Sequence, residues 1–118
     1  MPPPIKVVAT ITPAPGKLDR LVEVLAKLAA AVERKEHGCL EYHLHRRVRD
    51  VGPQQGEQGW AGEELVMIET YKDKAAYEEH SHSEDFRGLV KVMGEEGLLA
   101  KGLEITFLEP IAGFKGRL

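Results

Sequence analysis

The chain has 118 residues, 42% of them hydrophobic and 30% charged, the size and make-up of one soluble globular domain. Its net charge of −3 comes without a basic stripe, so there is no footprint for nucleic acid, and the acidic excess is too small to imply a cationic partner. A single cysteine, Cys39, excludes an internal disulfide.

The start, Met1-Pro2-Pro3-Pro4, leads into a short apolar run containing Lys6. That is neither a secretory signal nor a membrane span, and the expected compartment is the cytoplasm. Ile5 to Thr12 is rich in β-branched residues and stops at Pro13-Ala14-Pro15-Gly16, which predicts a strand closed by a turn. Leu18, Leu21, Val22, Leu25, Leu28, Ala29 and Val32 then recur at the spacing of an apolar helix face, and the helix is expected to end before Gly38 as its C-cap. From Cys39 to Val48 the period becomes two, with Leu40, Tyr42 and Leu44 on one face and Glu41, His43, His45 and Arg47 on the other. Residues 49–62, rich in glycine and glutamine and holding the only tryptophan, Trp60, read as a flexible loop.

Leu65-Val66-Met67-Ile68 is apolar on both faces, as a buried strand is, and is expected to end at Glu69. Asp73 is placed to cap a helix from Lys74, and Ser83-Glu84-Asp85 to start another, which leaves His80 at a helix end. Phe86, Leu89, Val90 and Met93 form one face of that second piece, which halts at Gly94. Leu103 to Leu108 alternates as a strand closed by Pro110, and the tail from Ile111 is either frayed or laid on a partner. The order β-α-β-β-α-β predicts one α+β, ferredoxin-like domain over residues 1–118, with tails 1–4 and 111–118 and a four-stranded antiparallel sheet. Helices on one face of such a sheet leave Val66 and Ile68 on the other. A homodimer in which two sheets close face to face would cover them.

Glu69, Tyr71 and His80 bring a carboxylate, a phenol and an imidazole within twelve positions. His80 can hold or move a proton near neutral pH, or it can bond a backbone carbonyl and fix the chain break. Tyr42 and Tyr71 can orient a phenolic substrate or serve as packing. Met67, Phe86 and Trp60 are further candidate substrate contacts, Trp60 either as a lid or pinned to a dimer neighbour. Glu69, following a buried strand, needs a partner or a raised pKa. His43 and His45 share a strand face, whereas His80 and His82 diverge by about 200° in a regular helix. No acidic or cysteine ligand stands at a metal-site spacing, so no metal is expected. Cys39 reads as a buried structural thiol, and no phosphate loop, dinucleotide fingerprint or nucleophile elbow is present.

Glu69, Tyr71, Asp73, Ala76, His80, Ser83 and Phe86 follow the pattern E-x-Y/W-x-D-x-x-A-x-x-x-H-x-x-S-x-x-F. Gly38-Cys39-Leu40-Glu41-Tyr42 reads as G-C-x-x-Y, and Pro15-Gly16-Lys17 as P-G-K before the first helix. Together these make the chain, from Ile5 to Pro110, resemble the antibiotic biosynthesis monooxygenase family of small dimeric ferredoxin-like proteins. The resemblance implies a dimeric α/β barrel and oxidation of a phenol, quinol or anthrone by O2 without metal, haem, flavin or other cofactor. It also implies His80 in proton transfer, Tyr42 or Tyr71 in orientation and Glu69 in support. Haem-degrading relatives carry a histidine ligand where this chain has Val90. Relatives that isomerise phosphorylated sugars would need Arg46, Arg47 or Arg87 at the pocket, and a non-enzymatic binding or stress-response module is the third reading. No membrane or nucleic-acid partner is expected.

Overall fold

A computed structural model describes residues 3–48 and 63–117. The loop assigned to 49–62, with Trp60, lies outside them. The elements run β1 (Ile5–Ile11), α1 (Leu18–Lys35), β2 (Cys39–Arg46), β3 (Leu65–Tyr71), α2 (Lys74–Ser81), α3 (Glu84–Glu95) and β4 (Glu104–Leu108). All strand pairs are antiparallel, in the order β2-β3-β1-β4, which is the ferredoxin-like arrangement with its second helix broken into α2 and α3.

β3 lies between β1 and β2 and is longer than its apolar run suggests, extending through Glu69 to Tyr71. Its alternation sends Leu65, Met67, Glu69 and Tyr71 toward the helices, all buried. Met67 and Leu65 pack there with Leu21, Leu25, Leu28 and Val32 of α1 and with Leu89 and Met93 of α3. Ala31 joins the buried stripe of α1, while Val22 and Ala29 are only half-buried. Both predicted caps form: Asp73 accepts from the Ala76 amide at 2.9 Å and Ser83 from the Phe86 amide at 3.1 Å. They fix where α2 stops and α3 begins, and so place His80.

Three local expectations are corrected. Leu40 does not share the inward face of Tyr42 and Leu44: a bulge between Cys39 and Glu41 leaves it unpaired and 60% exposed. Val90 is 47% exposed, because α3 buries only Leu89 and Met93. Gly38 is not the C-cap of α1; Glu36 holds that position, and Gly38 has no positive φ. What Gly38 provides is space, since a Cβ there would lie 2.7 Å from the Cβ of Ala76. Its carbonyl accepts from the Lys72 amide at 2.8 Å, so the start of β2 and the approach to α2 are pressed together.

Gly38→Ala is therefore expected to destabilise the fold by about 1–3 kcal/mol through overpacking. A urea melt should show a lower midpoint with an unchanged slope; an unchanged midpoint would mean that α2 yields freely at Ala76.

Candidate active site

His80 lies in the last turn of α2 and is 2% exposed. Its ring makes no bond to a backbone carbonyl among the described residues; Nδ1 stands 2.8 Å from Oε1 of Glu36, the buried residue that closes α1. Nδ1 donates to that oxygen in the tautomer that carries its hydrogen there. The ring is packed by Tyr42, Phe86 and Tyr71 at centroid distances of 5.0, 5.1 and 5.5 Å. Nε2 has no hydrogen-bond partner among the described residues.

Glu69 and Tyr71 alternate along β3 and so share its inward face, where the Tyr71 hydroxyl donates to Oε1 of Glu69 at 2.6 Å. Burial pushes the Glu69 carboxyl up to about 7, against the pull of the Tyr71 bond and with a smaller push from the charge of Glu36. Tyr42 stands opposite Glu69 in the β2–β3 register. Burial and then the nearby Glu69 raise the phenols of both Tyr42 and Tyr71, which stay protonated at neutral pH.

Between the sheet and the helices is a cavity of about 40 Å³, lined by Tyr42, Met67, Glu69, His80 and Phe86 together with Val7, Leu89, Met93, Tyr77 and Ile105. Tyr71 does not line it; it sits wholly buried, holding Glu69. Trp60 lies outside the described residues. The sequence reading missed Glu36 and Tyr77. Glu36 carried a signal, because a carboxylate at a helix C-terminus opposes the helix dipole. Tyr77, perpendicular to Tyr71 at 5.3 Å and to Phe107 at 5.1 Å, sits beside the edge strand β4, and nothing in its spacing marked it.

The other candidates lie apart. His43 and His45 are on the opposite face of the sheet, edge to face at 4.4 Å, and His82 is exposed with Nδ1 on the Glu78 carbonyl at 2.8 Å. No group of three His, Cys, Asp or Glu side chains able to hold a metal occurs among the described residues. Cys39 is half-buried, its thiol raised to about 11 by burial and donating to the Glu41 carbonyl at 3.4 Å. Arg46, Arg47 and Arg87 do not line the cavity.

The fold and this chamber define a small α+β domain with acid–base groups set into an apolar pocket. The chain belongs to the antibiotic biosynthesis monooxygenase family, whose model matches residues 4–92. It is 28% identical over 111 residues to the Mycobacterium tuberculosis protein named "Putative monooxygenase Rv0793", covering 94% of this chain and 95% of that one. The solved structure of Rv0793 superposes with a TM-score of 0.74 at 27% identity, over 95% of this chain and 99% of that one. PA3566 of Pseudomonas aeruginosa is 36% identical with a TM-score of 0.69, over 95% and 98% of the two chains. An antibiotic biosynthesis monooxygenase structure from Caulobacter crescentus, itself designated putative, gives 0.76 at 26% identity, over 94% and 92%.

The Glu69 carboxyl has a testable linkage. Its pKa rises from 4.5 to about 7 on folding. Below pH 4.5 both states hold the proton; between the two values the unfolded chain releases it and the folded chain keeps it. Stability from this group therefore falls as pH rises through that window, by on the order of 3 kcal/mol, and levels above it. Glu69→Gln keeps an acceptor for Tyr71 and should remove the decline. Urea melts from pH 5 to 7.5 that run parallel for wild type and variant would refute the raised carboxyl.

Proposed function

We propose that the protein is a monooxygenase of small aromatic molecules, oxidising an electron-rich phenol, quinol or anthrone with O2 and without metal, haem or flavin. Family membership supports the class. The observation that carries the chemistry is His80, held at Nδ1 and with Nε2 unpartnered among the described residues, beside a largely apolar chamber. Nε2 takes the hydroxyl proton of the substrate, and the resulting anion gives an electron to O2. Recombination at a ring carbon, then O–O cleavage, leaves one oxygen as a quinone carbonyl. The other departs as water with the hydroxyl proton and the hydrogen of that carbon. Tyr42 orients the ring by its hydroxyl, Met67 and Phe86 form apolar walls, and Tyr71 acts through Glu69.

The chamber is small for this task. An apolar cavity of about 150 Å³ takes one benzene, and this one measures about 40 Å³. Substrate must displace side chains, and the side to yield is that of β4, where Ile105 is 42% and Phe107 54% exposed. The phosphorylated-sugar isomerase reading gains nothing here, because no lysine or arginine lines the chamber among the described residues.

A homodimer belongs to the same proposal. The sheet face away from the helices carries Val8, Val66 and Ile68, half-buried, with Leu108 46% exposed. Around them stand His43, His45 and the Lys6–Glu41–Thr70 cluster, in which Lys6 Nζ lies 3.0 Å from Glu41 Oε1. Two such faces, closing on each other, would remove the apolar centre from water. No helix among the described residues is long and apolar enough to cross a membrane, and the cytoplasm is the compartment proposed.

The test is oxygen consumption by metal-stripped protein against hydroquinones, naphthols and anthrones, beside His80→Ala. Uptake should survive chelator and fall tenfold or more in the variant, about 1.4 kcal/mol of barrier. Tight aromatic binding with no uptake above the spontaneous rate would replace the oxygenase by a binding module. Light scattering should give twice the 13.1 kDa protomer mass; a single-protomer mass would remove the dimer.

A further inference from the structure

Glu36 stands where a carboxylate is unwelcome. It closes α1, at the end where unpaired carbonyls carry partial negative charge, and it is only 7% exposed. The cations of that last turn do not answer it: Lys35 pairs with Asp85 at 3.0 Å, and Arg34 donates to the Ala30 carbonyl at 3.4 Å. Its one side-chain hydrogen bond among the described residues is to His80 Nδ1. Glu69, the other buried acid of the site, only adds repulsion. A buried polar pair of this kind is a poor source of stability compared with apolar side chains of similar volume.

We infer that Glu36 is the positioning residue of the site, fixing the His80 imidazole with its proton on Nδ1 and the lone pair of Nε2 toward the chamber. The inference rests on His80 being the base proposed above. Glu36 does not line the cavity and acts only through the ring. Tyr42, Phe86 and Tyr71 hold the plane of the imidazole, but their ring contacts do not determine which nitrogen carries hydrogen. A carboxylate on Nδ1 does. When Nε2 accepts the substrate's proton, the positive charge formed on the ring lies next to a carboxylate already in place, so nothing has to reorganise.

The tautomer can be read without any substrate, so this inference and the oxygenase reading can fail separately. In protein labelled with 15N-histidine, the ring-nitrogen shifts and couplings of neutral His80 should show hydrogen on Nδ1 and none on Nε2. Glu36→Leu, checked for folding by circular dichroism, removes the acceptor and should turn the ring mainly to the Nε2–H form. Glu36→Asp keeps the charge and should restore Nδ1–H at least in part. Where a substrate is turned over, Glu36→Leu should lower kcat about tenfold or more with KM little changed. Hydrogen on Nε2 in the wild type would overturn the assignment, and needs no variant to be seen. So would an Nδ1–H form that persists in Glu36→Leu.

Discussion

The hydrogen bond between Glu36 and His80 joins the end of α1 to the end of α2 across 44 positions of sequence, inside the protein. Breaking such a hydrogen bond from one side leaves a buried polar group unanswered, a loss of about 1–3 kcal/mol, and more where the group is charged. The local architecture conforms to that contact. Asp73 starts α2 and Ser83 starts α3, so the chain breaks just after His80 and the ring turns inward. Gly38 lets the start of β2 come against Ala76, which brings the end of α1 close enough for its carboxylate to reach the ring.

A second buried acid is held differently. Glu69 is on a strand, opposite Tyr42, with a phenol as its donor. The desolvation of burial outweighs the single hydrogen bond that the phenol supplies. The carboxyl rises accordingly to about 7. One carboxyl, Glu69, thus stands in the wall of the chamber, and the other, Glu36, lies behind the His80 ring with a different partner.

Much of this was legible in the sequence because it depends on short-range periodicity and capping. The helix stripe of α1, the inward face of β3 and the caps at Asp73 and Ser83 each need only a few neighbouring residues to be read, whereas Val66 and Ile68 on the other face of β3 are only half-buried. Glu69, Tyr42, Met67, Phe86 and His80 could be named together because the turn after β3 returns α2 over the sheet, and the chamber they line follows from that return. What escaped depends on contacts between distant parts of the chain. Leu40 fits the alternation of β2 perfectly and is expelled by a bulge that no periodicity reports. Glu36 passes unremarked in the sequence, and only its distance from His80 gives it meaning. Gly38 was read as a helix stop, although what it accommodates is a methyl group 38 positions away.

Charge inside the chamber limits the chemistry it can support. Below about pH 7 the Glu69 carboxyl keeps its proton, and the anion of the proposed mechanism would then meet a neutral acid and the Tyr42 hydroxyl. Above that pH, Glu69 ionises and opposes a second negative charge in the same small volume, while free phenols in water ionise more readily as pH rises. Protein and solvent thus push anion formation in opposite directions across neutrality. Burial of Glu69 is what sets the crossing point, because desolvation is the largest cause of its raised pKa. The least buried part of the sheet is β4, the wall through which the proposed substrate would enter: it lies beyond the 4–92 stretch matched by the family, and all five of its residues are exposed. On the proposed function, selectivity for ring size is therefore expected to reside in Ile105 and its neighbours on β4, and the proton chemistry in the buried groups behind them.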